Sequence, residues 1–194
     1  QMQQIRLMGT TADVGITNPT QEQLVEIERS SLVLDVGIQQ RLGSVDAQQL
    51  QSARLGIVWI DDAEWESHRL PTISGVVGNY PSSKNEIMLP TWALGQMGIS
   101  DPQIGMEIAL SYQIGNSNDY ITDTFLLSGY YTDYMSTRTN NRGYVYVSTA
   151  FKDSLNISLD NSVTAMIRFQ GNDDVDKSCE RLQRKIAFTE KQAF

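Results

Sequence analysis

Hydrophobic spacing changes twice along this chain, and the changes divide it. Residues 3–7 form a short mixed run that reads as a strand leading to Gly9. Asn18-Pro19-Thr20 then punctuates the chain. Thr20 with Gln23 three residues on is a capping-box pattern, in which the hydroxyl meets a free helix amide and the Gln side chain reaches back. It predicts a helix over residues 21–30, with Leu24, Ile27 and Ser31 on one face and Glu22, Glu26 and Arg29 elsewhere. Leu32, Leu34, Val36 and Ile38 alternate with Val33, Asp35 and Gln39, the period of two that marks a half-buried strand.

The last third repeats this order. Residues 163–170 read VTAMIRFQ, a run rich in β-formers, and Gly171-Asn172-Asp173-Asp174 breaks it and supplies a helix N-cap. Val175, Cys179, Leu182 and Ile186 recur at spacings of four, three and four, one apolar stripe on a helix. Glu180, Arg181, Arg184 and Lys185 take the other faces, with cations late, where the helix dipole favours them. The acids Asp173, Asp174 and Asp176 suit its N-terminus for the converse reason.

The middle differs. Short β-like runs at residues 54–60, 86–89, 106–114, 122–131 and 143–148 are separated by turns such as Gly78-Asn79-Tyr80-Pro81 and Gly115-Asn116-Ser117-Asn118. Asn140-Asn141-Arg142-Gly143 reads as a hairpin joining two of them, and residues 91–97 as one short helix. The fold class this predicts is α+β. An α/β subdomain is built from both chain ends, residues 1–52 and 156–194, and a β-rich subdomain over residues 53–155 is inserted in it.

The 194 residues carry 15 Lys+Arg against 23 Asp+Glu, a formal charge of -8. That balance excludes nucleic-acid binding through the phosphate backbone and a polybasic membrane contact, both of which need a basic face. A single cysteine rules out an internal disulfide framework and leaves a thiolate metal site short of ligands. No run approaches the ~20 apolar residues of a membrane span, and no signal-peptide pattern is visible. The chain is expected to be either a cytosolic protein or a soluble domain of a larger one.

Candidate chemistry is sparse. His68 is the only histidine, so a Ser–His or Cys–His scheme would have to use it. It stands in the polar run Glu66-Ser67-His68-Arg69-Leu70 before Pro71, with no G-x-S-x-G elbow in the chain, and is expected in a solvated loop. Asp61, Asp62, Glu64 and Glu66 could serve a carboxylate-dependent hydrolase or bind calcium, but their spacing lacks the D-x-[DN]-x-[DN]-G pattern and suits a solvated turn. Cys179 lies on the apolar stripe and is expected to be a small core residue. No turn matches a phosphate-binding glycine motif, and Asn156-Ile157-Ser158 is a sequon only in a eukaryotic secreted protein. Tyr130, Tyr131, Tyr134, Tyr144 and Tyr146 are dense in the β middle, as strand partners or as a partner-contact surface. No catalytic residue, cofactor site or metal site is assigned.

The order of these segments resembles the extracytoplasmic domain of FtsX-like permeases, the MacB-like membrane subunits of ABC transporters. Residues 6–13 (RLMGTTAD) look like that family's opening strand and turn, and Thr20, Glu22 and Gln23 sit like its T-x-E-Q helix start. Asn85-Glu86-Ile87-Met88-Leu89 is similar to its N-E-I strand, followed by Leu94-Gly95-Gln96-Met97-Gly98. Residues 104–108 and 123–130 resemble its "G-x-x-I" and "F-x-V-x-G-x" strands, and residues 144–148 its closing "v-y-V-S" strand. The likeness runs in order over most of residues 5–190. Many positions depart by being polar and Gln-rich, and the N-E-I motif is the one near-literal match.

The resemblance implies a non-enzymatic domain between the first and second transmembrane helices, with a porter-like α/β part and a β-rich insertion. It also implies a cell-membrane location with this domain on the extracytoplasmic side. The expected partners are a second permease subunit, a cytoplasmic ABC ATPase, and an extracellular cargo or protein. ATP-driven motion would pass through the domain to export or to that partner. A lone cysteine suits an oxidising exterior. The other reading of the same residues is a secreted or cell-surface module that binds peptide or glycan on the tyrosine-rich strands.

Overall fold

The computed structural model of the chain describes residues 9–133, 142–156, 162–171, 174–189 and 192. The expected strand at residues 3–7, the first two residues of the turn at 140–143, Tyr134 and two residues of the sequon lie outside them. In chain order the strands are β1 (Val14–Thr17), β2 (Val33–Val45), β3 (Arg54–Ile60), β4 (Ile73–Gly78), β5 (Glu86–Pro90), β6 (Glu107–Ile114), β7 (Ile121–Asp133), β8 (Arg142–Val147) and β9 (Val163–Phe169). The α-helices are α1 (Gln21–Arg29), α2 (Thr91–Gln96), α3 (Thr149–Ser154) and α4 (Val175–Lys185). A π-helix spans Glu64–Arg69, and a 3-10 turn, Leu70–Thr72, continues it.

The fold is α+β, in two compact units. The first comprises Gln1–Gln40, Ile60–Thr72 and Asp160–Phe194, the second Arg41–Trp59 and Ile73–Leu159. The Asp61–Glu66 acids and His68 therefore belong to the first unit.

In the first unit β9 lies between β1 and β2 and is antiparallel to both. Thr20 caps α1 as its pattern predicts: its hydroxyl accepts from the Gln23 amide at 3.1 Å, and Gln23 Oε1 accepts from the Thr20 amide at 2.9 Å. Gln23 is itself buried, and its Nε2 donates to the Ala187 carbonyl at 2.8 Å, tying α1 to the segment after α4. The apolar stripes of both helices converge on the strands. Ile27 of α1, then Leu182 and Ile186 at the end of α4, pack with Val14, Ile16, Val33, Ala165, Ile167 and Phe169. Each of these side chains larger than alanine contributes about 1.5–3 kcal/mol by leaving water.

β2 departs from simple alternation at its start. Val33 pairs with Phe169 and Asp35 with Arg168, so two steps on β2 face one on β9 and Leu34 is the extra residue of a bulge. Leu34, expected on the core face, is 48% exposed, and Val33 is buried in its place. Beyond the bulge the predicted alternation holds, and Val36 and Ile38 pack on the helical core. The phase change leaves Asp35, Gly37 and Gln39 on the opposite face of β2. That is the face on which the π-helix sits.

The second unit orders its strands β3-β8-β5-β7-β4. β3 and β8 are parallel, as are β5 and β7, and β4 is antiparallel to β7. β6 pairs antiparallel with the first half of β7 and with Gly43–Val45 of β2. The hairpin expected at residues 140–143 would have made β7 and β8 neighbours. β5 lies between them instead, because its apolar Ile87, Met88 and Leu89 take the central, fully buried place. Tyr112, Phe125 and Phe151 form a mutually tilted aromatic trio in this core, with centroids 5.9–6.1 Å apart. The N-E-I segment has a local structural role: Glu86 Oε1 accepts from the Ser82 and Ser83 amides and the Ser82 hydroxyl, closing the turn that leads into β5.

The two classes of Leu site give a direct test of this packing. Leu182→Ala should lower unfolding free energy by about 2–5 kcal/mol. Leu34→Ala, at the exposed bulge, should change it by less than about 0.5 kcal/mol. Urea titration of both variants against the parent checks the difference.

Candidate functional site

The densest buried polar cluster among the described residues is built where the chain turns from β3 into the π-helix. Asp61 organises the turn. Its Oδ1 accepts from the Ile38 amide at 3.0 Å and the Glu64 amide at 2.9 Å, and its carbonyl accepts from Trp65 at 3.0 Å. Burial raises its pKa; the Ile38 and Glu64 amides pull the other way and lose.

The π-helix then does what an α-helix would do less well. Its i→i+5 bonding is wider, so residues four and five positions apart both reach the side chain at position i. Glu64 has no exposed surface, and its Oε2 contacts His68 Nδ1 while its Oε1 accepts from Arg69 Nε at 2.9 Å. A third donor, the Thr10 hydroxyl, reaches Glu64 Oε1 at 3.0 Å. On β2, Asp35 Oδ1 contacts His68 Nε2 and Gln39 Oε1 accepts from Arg69 Nη2. Asp35 alone of the charged members faces solvent, with 29% of its side chain exposed.

Gly37 makes the approach feasible. A Cβ there would stand 2.5 Å from Glu64 Oε2 and 2.6 Å from its Cα. Any side chain would drive the π-helix off β2.

Both imidazole nitrogens face carboxylates. An ionised carboxylate only accepts, so two such bonds require an imidazolium that donates from both nitrogens. Burial by itself lowers the pKa of His68, but the hydrogen bond and charge of Glu64, followed by those of Asp35, outweigh it and raise the pKa above its ordinary value. The ring has no nitrogen left to serve a nucleophile. No trio of His, Cys, Asp or Glu among the described residues is arranged to hold a metal ion.

His68 is thus not in a solvated loop: it has no exposed surface. The polar character of its neighbours reflects a wide helical turn in which 64, 68 and 69 point inward and Asp62 and Glu66 outward. The acidic run does not act as one group for the same reason. Thr10, Asp35, Gln39 and Arg69 join the cluster without any local signal, from three separate chain segments. Glu64 and His68 at i,i+4, together with a glycine inside β2, were the traces available in the sequence.

Cys179 is half-buried and free, and burial with the charges of Asp176 and Asp13 pushes its thiol up to about 11. Such a thiol is unreactive near neutrality. Of the tyrosines, Tyr131 and Tyr146 are buried with ring centroids 6.1 Å apart, and Tyr130 and Tyr144 are half-buried. Tyr131 and Tyr146 therefore belong to the interior of the second unit and present no contact surface. Tyr134 lies outside the described residues.

No family model matches the sequence, and no curated protein does. Among solved structures, the chain is similar to the periplasmic region of MacB from Actinobacillus actinomycetemcomitans, with a TM-score of 0.50 and 9% identity. That likeness covers 93% of this chain and 84% of the other. A domain named as part of a permease protein from Porphyromonas gingivalis aligns with a TM-score of 0.44 and 11% identity, over 95% of this chain and 80% of that one. The chain has the fold of the periplasmic region of MacB, and at 9% identity the likeness is one of fold.

Two glycine substitutions should separate close approach from mere flexibility. Gly37→Ala should destabilise the protein by about 1–3 kcal/mol or more, since it overpacks against backbone. Gly95→Ala, inside α2 with nothing within 4 Å of its Cβ, should stabilise it by about 0.5–1 kcal/mol. Denaturant midpoints of the two variants should move in opposite directions.

Proposed function

We propose that this chain is the extracytoplasmic part of an ABC-type permease subunit, and that it works by contact and movement rather than by catalysis. The observation that carries this reading is the fold likeness to the periplasmic region of MacB over nearly the whole chain. The ordered run of family-like segments supports it, and four of them meet strands: residues 85–89 at β5, 104–108 leading into β6, 123–130 on β7 and 144–148 on β8 and the cap of α3. The first and last described elements, β1 and α4, lie in the same unit, so the chain enters and leaves through it. That suits a domain tethered at both ends. The reading also accounts for a buried polar cluster with no free catalytic nitrogen.

In this reading the domain stands on the outer side of the cell membrane. It works beside a second permease subunit, and a cytoplasmic ABC ATPase drives it. Movement of the membrane segments reaches the outer domain and alters its contacts with an exported cargo or an extracellular protein in each state. No helix among the described residues is long and apolar enough to cross a membrane. The spans would therefore belong to flanking sequence.

Fractionation of the native source with an antibody to this domain tests the proposal. The expected band is much larger than 21.7 kDa, confined to membranes and released only by detergent, with an ATPase co-purifying. A band near 21.7 kDa in the medium would overturn the permease reading in favour of a secreted binding module.

A further inference from the structure

The Glu64 cluster has a second property, independent of any transport role. It fastens residues 9–11 to the π-helix. The Thr11 amide donates to the His68 carbonyl at 2.9 Å and the Thr11 hydroxyl to the Ser67 carbonyl at 3.0 Å. The Thr10 hydroxyl donates to Glu64, and Thr72 Oγ1 to the Gly9 carbonyl at 2.9 Å. The carbonyls that hold Thr11 belong to the turn whose geometry His68 fixes.

The charge balance of the cluster depends on one proton. Two carboxylates, Asp35 and Glu64, face two cations, Arg69 and a protonated His68. Around them, Thr10 and Gln39 are uncharged, Asp61 is committed to the Ile38 and Glu64 amides, and Arg168 stands opposite Asp35 in the β9 register. Loss of a ring proton removes one of the two hydrogen bonds and sets a lone pair against a carboxylate oxygen. It also leaves a buried negative charge in excess, which costs several kcal/mol unless water enters or the turn shifts. A π turn is sparsely populated and has α and 3-10 geometries to relax into. Relaxation moves the carbonyls of Ser67 and His68, and Asp35 supplies the solvent-facing edge through which the proton leaves.

We propose that this cluster is a proton-operated clasp: it holds residues 9–11 against the π-helix while His68 carries both ring protons, and releases them when the ring loses one. The stabilisation is complete below the ordinary imidazole range and disappears as pH rises through the higher midpoint of the folded ring. Each pH unit between the two midpoints is worth about a tenfold change in the closed-to-open ratio.

His68 is the only histidine, so its ring gives one assignable set of nitrogen-15 signals in the intact chain. The expected result is two protonated ring nitrogens below a midpoint that lies above the ordinary imidazole value of about 6.5. Protection of the Thr11 amide from hydrogen exchange should fall about tenfold or more through that midpoint. The Gly115 amide, bonded to the Leu42 carbonyl in the second unit, should keep its protection. Asp35→Asn, a change at the part-exposed member, should lower the ring midpoint and shift the loss of Thr11 protection with it. Glu64→Gln should do the same where it folds. A ring whose midpoint lies at or below the ordinary imidazole value overturns the clasp. Thr11 protection that tracks Gly115 throughout, or an unchanged midpoint in Asp35→Asn, overturns it equally. None of these outcomes depends on whether the chain belongs to a permease.

Discussion

Glu64 buries a carboxylate at a point where the backbone of Gly37 leaves no room for a side chain, and much of the first unit follows from that contact. A carboxylate so placed cannot keep its water, so its oxygens must be met by protein donors. Three arrive from two parts of the chain: Thr10 from the lead-in to β1, and His68 and Arg69 from the same wide turn. Removing either charged partner would leave Glu64 short of a counter-charge, at a cost of about 3–5 kcal/mol for a buried ion pair. The residues between β3 and β4 are thereby fixed to β2, although they are too short a segment to carry a core of their own. The opposite face of the same strands is held by the apolar stripes of α1 and α4. β2 and its neighbours are therefore clamped by burial on one side and by charge on the other.

The one-residue bulge at Leu34 lets both faces coexist. Without it, Val33 on the core face would put Asp35 there as well, since side chains alternate. A carboxylate would then point into the cluster of Ile27, Leu182 and Phe169. The extra residue resets the phase, so Val36 and Ile38 face the helices while Asp35 and Gln39 meet His68 and Arg69. Placing the irregularity near the start of β2 makes Leu34 the cost, exposed to water.

Local signals read α1 and α4 well and the site poorly, for a physical reason. Thr20 with Gln23, and Val175 with Cys179, Leu182 and Ile186, declare themselves within one or two turns because their partners are three or four residues away. The strands of the middle were visible as β-runs, but their order was not. The position of β5 between β7 and β8 depends on pairings 40 to 60 residues apart. His68 was misread because the run around it is polar on average, whereas burial depends on which residues of a wide turn face inward. A π-helix inserts one residue into the usual helical period, so an i,i+3/i+4 template applied to Glu64–Arg69 finds no apolar face. The bulge defeated alternation at Leu34 in the same way. Both failures are one-residue changes of phase, and both fall at the same cluster.

A buried set of ionic groups is weak evidence for stability, since well-packed apolar residues of similar volume often serve as well or better. The first unit already has an apolar core against α1 and α4, so stability alone does not explain why Glu64, His68, Arg69 and Asp35 are spent on its other face. What they supply that hydrophobes would not is register. An apolar turn could slide or rotate on β2 at little cost, because dispersion contacts are not directional. The ionic set is satisfied only when residue 64 lies over Gly37, residue 68 reaches Asp35 and residue 69 reaches Gln39. A slip of one residue would bury Ala63 or Trp65 in place of Glu64 and leave His68 and Arg69 without their shared acceptor. The cluster thus gives the turn one allowed position and, through Thr10 and Thr11, gives the incoming chain one allowed path.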